Sequence, residues 1–179
     1  MTRKILVFSD SHEKSEYMNQ AIKLNSDADM TVHLGDGASD LSRTLPDNCG
    51  GSYVFIEGNG EYYGWIGVDR RYRPQRYAMV EFEGKKIFMT HGHIFEVKFG
   101  LEKLLARAYS EGADIILYGH THIPFCKYLP SGTELDYVGK TDRPLLVFNP
   151  GSIGQGTEHS FGLLTFLDGE VLPSHGKIK

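Results

Sequence analysis

The sequence predicts an α/β fold in which two sheets pack face to face with helices outside. Three observations lead there. Six short apolar runs, each rich in Ile, Val, Leu or Phe and ended by polar or glycine residues, have the length and make-up of strands covered on both faces. Only two longer stretches repeat their apolar residues at helical spacing. The first part of the chain reads β-α-β and the last part mostly β, which suits stacked sheets better than a simple doubly wound domain.

In order, KILVF (4–8) is the first strand, and residues 14–25 form a helix with Tyr17, Met18, Ala21, Ile22 and, less neatly, Leu24 near one face. MTVHL (30–34) and YVFI (53–56) are the next strands, with a short helix near 38–45 between them. The segment GNGEYYGWIGVDRRYRPQR (58–76) reads as a long aromatic loop. Its G-x-G-x-x-x-G spacing loosely matches a dinucleotide-binding turn, but no helix follows and a proline does, so that reading fails. RYAMVEFEG (76–84) pairs as a hairpin with KIFMT (86–90) through Glu83-Gly84. A second helix over 98–111 aligns Leu101, Leu104, Leu105 and Ala108 and stops before Gly112. DIILY (114–118), PLLVF (144–148) and a further hairpin partner, FGLLTFLDG (161–169), complete the set. With no repeat, linker or low-complexity tract, residues 1–179 read as one domain.

Nineteen Lys and Arg against 23 Asp and Glu give a net charge of −4, so no general nucleic-acid binding is expected. Small anionic substrates remain open to the chain if a bound cation supplies positive charge. Cys49 and Cys126 fit no C-x-x-C pattern and read as free thiols of a reducing compartment. ILVF is too short for a signal-peptide core and no run approaches a membrane span, so a cytoplasmic location is expected. Association between copies of the chain is left open.

The polar residues that follow the apolar runs carry the chemistry. KILVF leads to Ser9-Asp10-Ser11-His12, MTVHL to Gly35-Asp36, and YVFI through Glu57 to Gly58-Asn59. KIFMT leads to His91-Gly92-His93, DIILY to Gly119-His120-Thr121-His122, and PLLVF to Asn149-Pro150-Gly151-Ser152. Ligands bind beyond the carboxyl ends of parallel strands, so these residues are expected on one rim. Half of the eight histidines fall in HGH and GHTH. Imidazole and carboxylate groups suit divalent transition ions, Mn²⁺ foremost, with Ni²⁺, Fe²⁺, Co²⁺ or Zn²⁺ as alternatives. Asp10, His12, Asp36, Asn59, His91, His120 and His122 are too many for one tetrahedral ion and enough for two that share a carboxylate. Singly, each has a plainer explanation: a helix N-cap for either Asp, a turn for Asn59, the surface for His12. Seven in order at strand ends do not.

Other residues receive structural readings. His33 is a hydrogen-bonded core or interface histidine, Asn149 and Ser152 shape the NPGS turn, and Arg70, Arg71, Arg73 and Arg76 form a solvated edge. His159 and His175 have no supporting context, and nothing decides whether Tyr62, Tyr63 and Trp65 line a pocket, pack beneath a loop or meet another subunit.

Taken together, D-x-H (10–12), G-D (35–36), G-N (58–59), H-G-H (91–93) and G-H-T-H (119–122) resemble the calcineurin-like metallophosphoesterase superfamily. The THGH wording at 90–93 and NPGS at 149–152 are most similar to its compact bacterial and archaeal phosphodiesterases. The resemblance implies a four-layer α/β/β/α sandwich. It also implies Asp10, His12 and His122 on one ion, Asn59, His91 and His120 on the other, and Asp36 bridging. The implied activity is hydrolysis of a small phosphoester, preferably a diester, by direct attack of a hydroxide shared by two ions. A phosphomonoesterase or nucleotide phosphatase would use the same site, and a non-catalytic scaffold is a known branch of the fold. One departure stands out. Many relatives place histidine after the ligand Asn, and the compact ones usually cysteine, whereas this chain has Gly60. His93 is therefore the candidate for assisting the leaving group or binding phosphate.

Overall fold

The first strand shows why the apolar runs are continuous. Ile5 and Val7 enter one cluster of buried side chains, while Leu6 and Phe8 enter another on the opposite face. A strand's side chains alternate between faces, so a strand covered on both sides needs no polar positions. The computed structural model describes residues 1–37, 40–41, 51–61 and 75–179. Along them run β1 (Arg3–Phe8), α1 (Ser15–Leu24), β2 (Met30–His33), β3 (Ser52–Phe55), β4 (Tyr77–Phe82), β5 (Lys85–Thr90), α2 (Glu102–Ser110) and β6 (Ile115–Tyr118). There follow β7 (Phe125–Leu129), β8 (Glu134–Leu135), β9 (Gly139–Lys140), β10 (Leu145–Asn149), β11 (His159–Leu167) and β12 (Glu170–Ile178). A single 3-10 turn lies at His93–Phe95.

Two five-stranded sheets result, ordered β12-β11-β1-β2-β3 and β4-β5-β6-β10-β7, and β8 and β9 form a small ribbon. Each sheet holds a parallel trio, β1-β2-β3 and β5-β6-β10, flanked by antiparallel strands. Ile5, Val7, Val32 and Leu34 of one sheet meet Ile87, Met89, Ile115, Leu117 and Phe148 of the other in the central layer. Met18, Ala21 and Ile22 of α1 cover the outer face of the first sheet. Leu104, Ala108 and Tyr109 of α2 cover that of the second. This is the α/β/β/α sandwich. Phe8, Phe88 and Phe148 are fully buried, and each such side chain stabilises the fold by roughly 1.5–3 kcal/mol.

All six apolar runs are strands, and 76–84 is the expected hairpin partner, its turn made by Glu83 (φ 48°) and Gly84 (φ 71°). Asp168 (φ 51°) and Gly169 (φ 85°) make a like turn, but the run at 161–169 has a partner that sequence reasoning missed, β12. Pro173, His175 and Gly176 hide that strand, and they are tolerated because it lies at a sheet edge. The second helix begins at Glu102 rather than 98, and Leu24 of the first is exposed. Cys126 is a free, exposed thiol; Cys49, most of the helix near 38–45, Tyr62, Tyr63, Trp65 and Arg70, Arg71 and Arg73 lie outside the described residues. Among the described residues no helix is long and apolar enough to cross a membrane.

Candidate metal centre

The two parallel trios end on one rim. After β1 come Asp10 and His12, after β2 Asp36, after β3 Asn59, after β5 His91 and His93, and after β6 His120 and His122. Possible ligand atoms of Asp10, His12 and His122 lie within 4.8 Å of one another, and so do those of Asp36, His91 and His120. His91 Nε2 joins the two sets. It is 3.1 Å from His120 Nδ1, 3.2 Å from Asn59 Oδ1, 3.5 Å from Asp36 Oδ2 and 4.0 Å from Asp10 Oδ1. The structure thus brings together all seven side chains singled out as ligands. His93 stands beside them, its ring centroid 5.4 Å from that of His91 and 6.2 Å from that of His120.

Backbone strain is concentrated here. Asp10, His12, Asp36, His120 and His122 all adopt φ between 45° and 67°, where side-chain-bearing residues are uncommon. Such strain persists only where the surroundings over-determine it. Several bonds do so. Asp10 N donates to Gly35 O (2.9 Å) and His12 N to Asp36 O (3.1 Å), which lashes the first loop to the second. Ser152 Oγ donates to Asp10 O (2.8 Å). Asn149 Nδ2 donates to Gly119 O (3.0 Å) while its Oδ1 accepts from Gly151 N (2.8 Å), so the NPGS residues shape their own turn and also pin GHTH. Gly119 itself has no room for a side chain, since a Cβ would lie 1.9 Å from Ser9 Oγ.

The electrostatics point to a cation. Burial raises the Asp10 carboxyl, but His122, His91 and the Ser9 hydroxyl outweigh it and hold it below the usual carboxylate range. Burial also raises Asp36, where His91 and the Gly60 amide prevail and leave it well below that range. Burial and the neighbouring His91 push His120 down to about 4, so it is neutral at pH 7. His91 is pulled upward despite burial by Asp36 and Asp10. Its Nδ1 lies 2.8 Å from Leu34 O, a contact that fixes the ring and leaves Nε2 facing the site. Asp10 Oδ1 and His12 Nε2 are buried without a hydrogen bond among the described residues, although His122 Nε2 is 3.1 Å from the former. Leaving a buried polar atom unsatisfied costs about 1–3 kcal/mol. Carboxylate oxygens and imidazole nitrogens converging with unmade bonds fit divalent metal ions.

Two supporting residues went unread in the sequence. Buried Glu61 accepts from Gly37 N (2.9 Å) and Gly58 N (2.8 Å), tying the Asp36 loop to the Asn59 loop. Buried Asp40 accepts from Ser11 Oγ (2.7 Å) and Glu13 N (2.8 Å), tying the first loop to the second. Only the burial of a carboxylate beside a glycine turn would have signalled them, and burial at loop positions is not periodic.

His33 is the expected core histidine. It is fully buried, its Nδ1 accepts from Gly35 N (3.2 Å), and its Nε2 therefore donates to Ser11 Oγ (3.1 Å). Burial pushes its pKa down to about 4, against 6.5 for a free side chain. Between those values the unfolded chain takes up a proton that the folded chain refuses, so stability falls as pH drops below about 6.5. The whole effect is on the order of 3 kcal/mol. Urea unfolding of the metal-free chain at pH 7.5 and 4.5 is expected to show His33→Gln less stable than wild type at the higher pH, with the gap narrowing at the lower. A gap that ignores pH would contradict this reading.

Fold and site together define the class: a two-sheet sandwich whose parallel strands converge on a candidate divalent-metal centre. The chain belongs to the calcineurin-like phosphoesterase superfamily, whose domain model matches residues 3–169. It is 30% identical over 150 residues to the probable metallophosphoesterase YsnB of Bacillus subtilis, covering 83% of this chain and 74% of that one. It is 26% identical over 128 residues to the phosphodiesterase MJ0936 of Methanocaldococcus jannaschii, covering 66% and 73%. Among solved structures, a predicted phosphoesterase from Streptococcus pneumoniae TIGR4 aligns with TM-score 0.68 and 25% identity over 99% of both chains. Vps29 from Cryptosporidium parvum shares the fold alone, with TM-score 0.66 and 15% identity over 99% of this chain and 98% of that one.

Proposed function

We propose that this chain is a phosphodiesterase that works with two divalent metal ions. Asp10, His12 and His122 would hold one ion, Asn59, His91 and His120 the other, and Asp36 both. The observation that carries the reading is the pair of adjoining ligand sets joined at His91 Nε2. Two such ions supply charge for phosphoryl oxygens and bring the pKa of bound water toward neutrality. The protein's part is to fix these side chains, through the strained and heavily tied loops, before substrate arrives.

No described side chain is placed as a strong acid for the leaving group. Gly60 has none, and both oxygens of Glu61 accept backbone amides. His93 is shifted down by burial and by His91, so at pH 7 it is a neutral imidazole. Its Nδ1 is buried with no hydrogen-bond partner among the described residues. A neutral ring suits a hydrogen bond to a phosphoryl oxygen better than rapid proton donation. Esters with good leaving groups are therefore favoured.

Metal-free protein reconstituted with Mn²⁺ is expected to bind two ions per chain and to hydrolyse bis(4-nitrophenyl) phosphate faster than 4-nitrophenyl phosphate. On the same panel, His93→Ala is expected to slow aryl and alkyl esters by similar factors; a much larger loss on alkyl esters would instead make His93 the proton donor. Faster monoester turnover would make the chain a phosphatase. If neither Mn²⁺ nor Ni²⁺, Fe²⁺, Co²⁺ or Zn²⁺ restores turnover of any phosphoester, the scaffold reading replaces this one.

A further inference from the structure

We propose that the cavity beside His122 is a subsite for the second ester arm of the substrate, and that it takes a neutral, hydroxyl-bearing group such as a glycerol or sugar. This deepens the phosphodiesterase reading and rests on it. The cavity measures about 480 Å³ and is bounded by His122, Pro124, Gln155, Thr157, Glu158 and Ser160. That is room for a small polyol, within the range of ordinary ligand pockets. Because His122 is part of its wall, an arm lying there stays attached to a phosphorus held at the adjoining ligand set.

The cavity keeps a fixed register with the metal centre. Ile153 N donates to Ser9 O (3.1 Å) and Gly154 N to Asp10 O (3.2 Å). Ser152 Oγ donates to Asp10 O (2.8 Å) and accepts from Gln155 N (2.8 Å). At the far end of the loop Ser160 N donates to Ser152 O (2.9 Å). The segment that forms the cavity is thus stitched to the backbone of Asp10 itself, so the wall cannot drift from the reacting centre.

Its chemistry selects the arm. An amide (Gln155), two hydroxyls (Thr157, Ser160) and a carboxylate (Glu158) offer both donors and acceptors. The Glu158 charge is already matched by Lys177 Nζ at 2.6 Å. Among the described lining residues there is no Lys or Arg to hold a second phosphate, and no Phe, Tyr or Trp to stack on a base. Hydroxyl groups can replace water on such a wall without leaving polar atoms unpaired.

Two esters with one leaving group test this: 4-nitrophenyl glyceryl phosphate and 4-nitrophenyl methyl phosphate, with Mn²⁺-loaded enzyme. The glyceryl ester is expected to have the higher kcat/KM by about tenfold, as one or two hydrogen bonds to the arm would give. Thr157→Trp, which fills the cavity, is expected to bring that ratio close to one. A second readout needs no turnover. The amide resonances of Gln155, Thr157 and Glu158 are expected to shift with glyceryl methylphosphonate and not with methyl methylphosphonate. A wild-type ratio near one, a ratio that survives Thr157→Trp, or unmoved resonances would each overturn the subsite while leaving the phosphodiesterase reading intact. Turnover of neither ester would sink that reading, and the subsite with it.

Discussion

Asp36→Ala is expected to lower kcat/KM on the order of a thousandfold while the chain stays folded. Loss of outer hydrogen-bond partners of metal ligands typically costs about 10–100-fold, and loss of a carboxylate proposed to hold both ions should exceed that. In the geometry Asp36 belongs to the set with His91 and His120: Oδ2 is 3.5 Å from His91 Nε2, and Oδ1 accepts from Gly60 N at 2.7 Å. Stability changes less, for two opposing reasons. The folded state loses an anion that its His91 neighbour favours, yet it also loses a buried charge close to that of Asp10. Gly60 is exposed, so water can replace the lost acceptor. Metal content measured by mass spectrometry is expected to fall below two ions per chain. Asn59→Ala is expected to weaken the His91–His120 side selectively, because Asn59 Oδ1 approaches His91 Nε2. Both variants retaining full activity would remove the ligand assignment.

What the sequence could disclose follows from what repeats. Strands β1, β2, β5, β6 and β10 were legible because both of their faces are covered, and a doubly covered strand leaves a continuous apolar word such as DIILY. β12 and β7 lie at sheet edges, where one side of the ladder is free, and Pro173 or Lys127 costs little there. They leave no such word. The start of α2 was misplaced because Leu101 falls at helical spacing but acts as the cap of a helix that begins one residue later.

The centre was legible for a related reason. Its side chains follow strands directly, so strand ends predict the rim, and both parallel trios deliver to it. The ties behind it were not. Glu61 reaches Gly37 across 24 positions and Asp40 reaches Ser11 across 29, and neither link has a period or a spacing rule. Glycine before a ligand supplies freedom to turn. Gly35, at φ 103°, needs that freedom, but Gly58 and Gly119 lack left-handed φ and are required by crowding.

That crowding gives the second large effect: Gly58→Ala is expected to destabilise the chain and strip the centre together. A Cβ at Gly58 would lie 2.1 Å from Asp36 Oδ1 and 2.3 Å from Asp36 N. The carboxylate could swing aside, but the backbone nitrogen cannot, so the β3 loop must move away from the β2 loop. The move strains the bond from Gly58 N to Glu61 Oε2 (2.8 Å) and separates Asn59 from His91. Overpacking of this kind costs about 1–3 kcal/mol, which in a chain of this size lowers Tm by roughly 3–10 °C. Gly60→Ala is the control, because its Cβ would meet only the Asp36 carboxylate, at 3.2 Å, which a slight rotation relieves. Tm of the metal-free proteins and their Mn²⁺ content are expected to separate the two variants, with Gly60→Ala close to wild type. Two alanine variants with equal Tm and equal metal would show that the loops are not locked by this contact, and that Asp36 is held in place by something other than the glycine facing it.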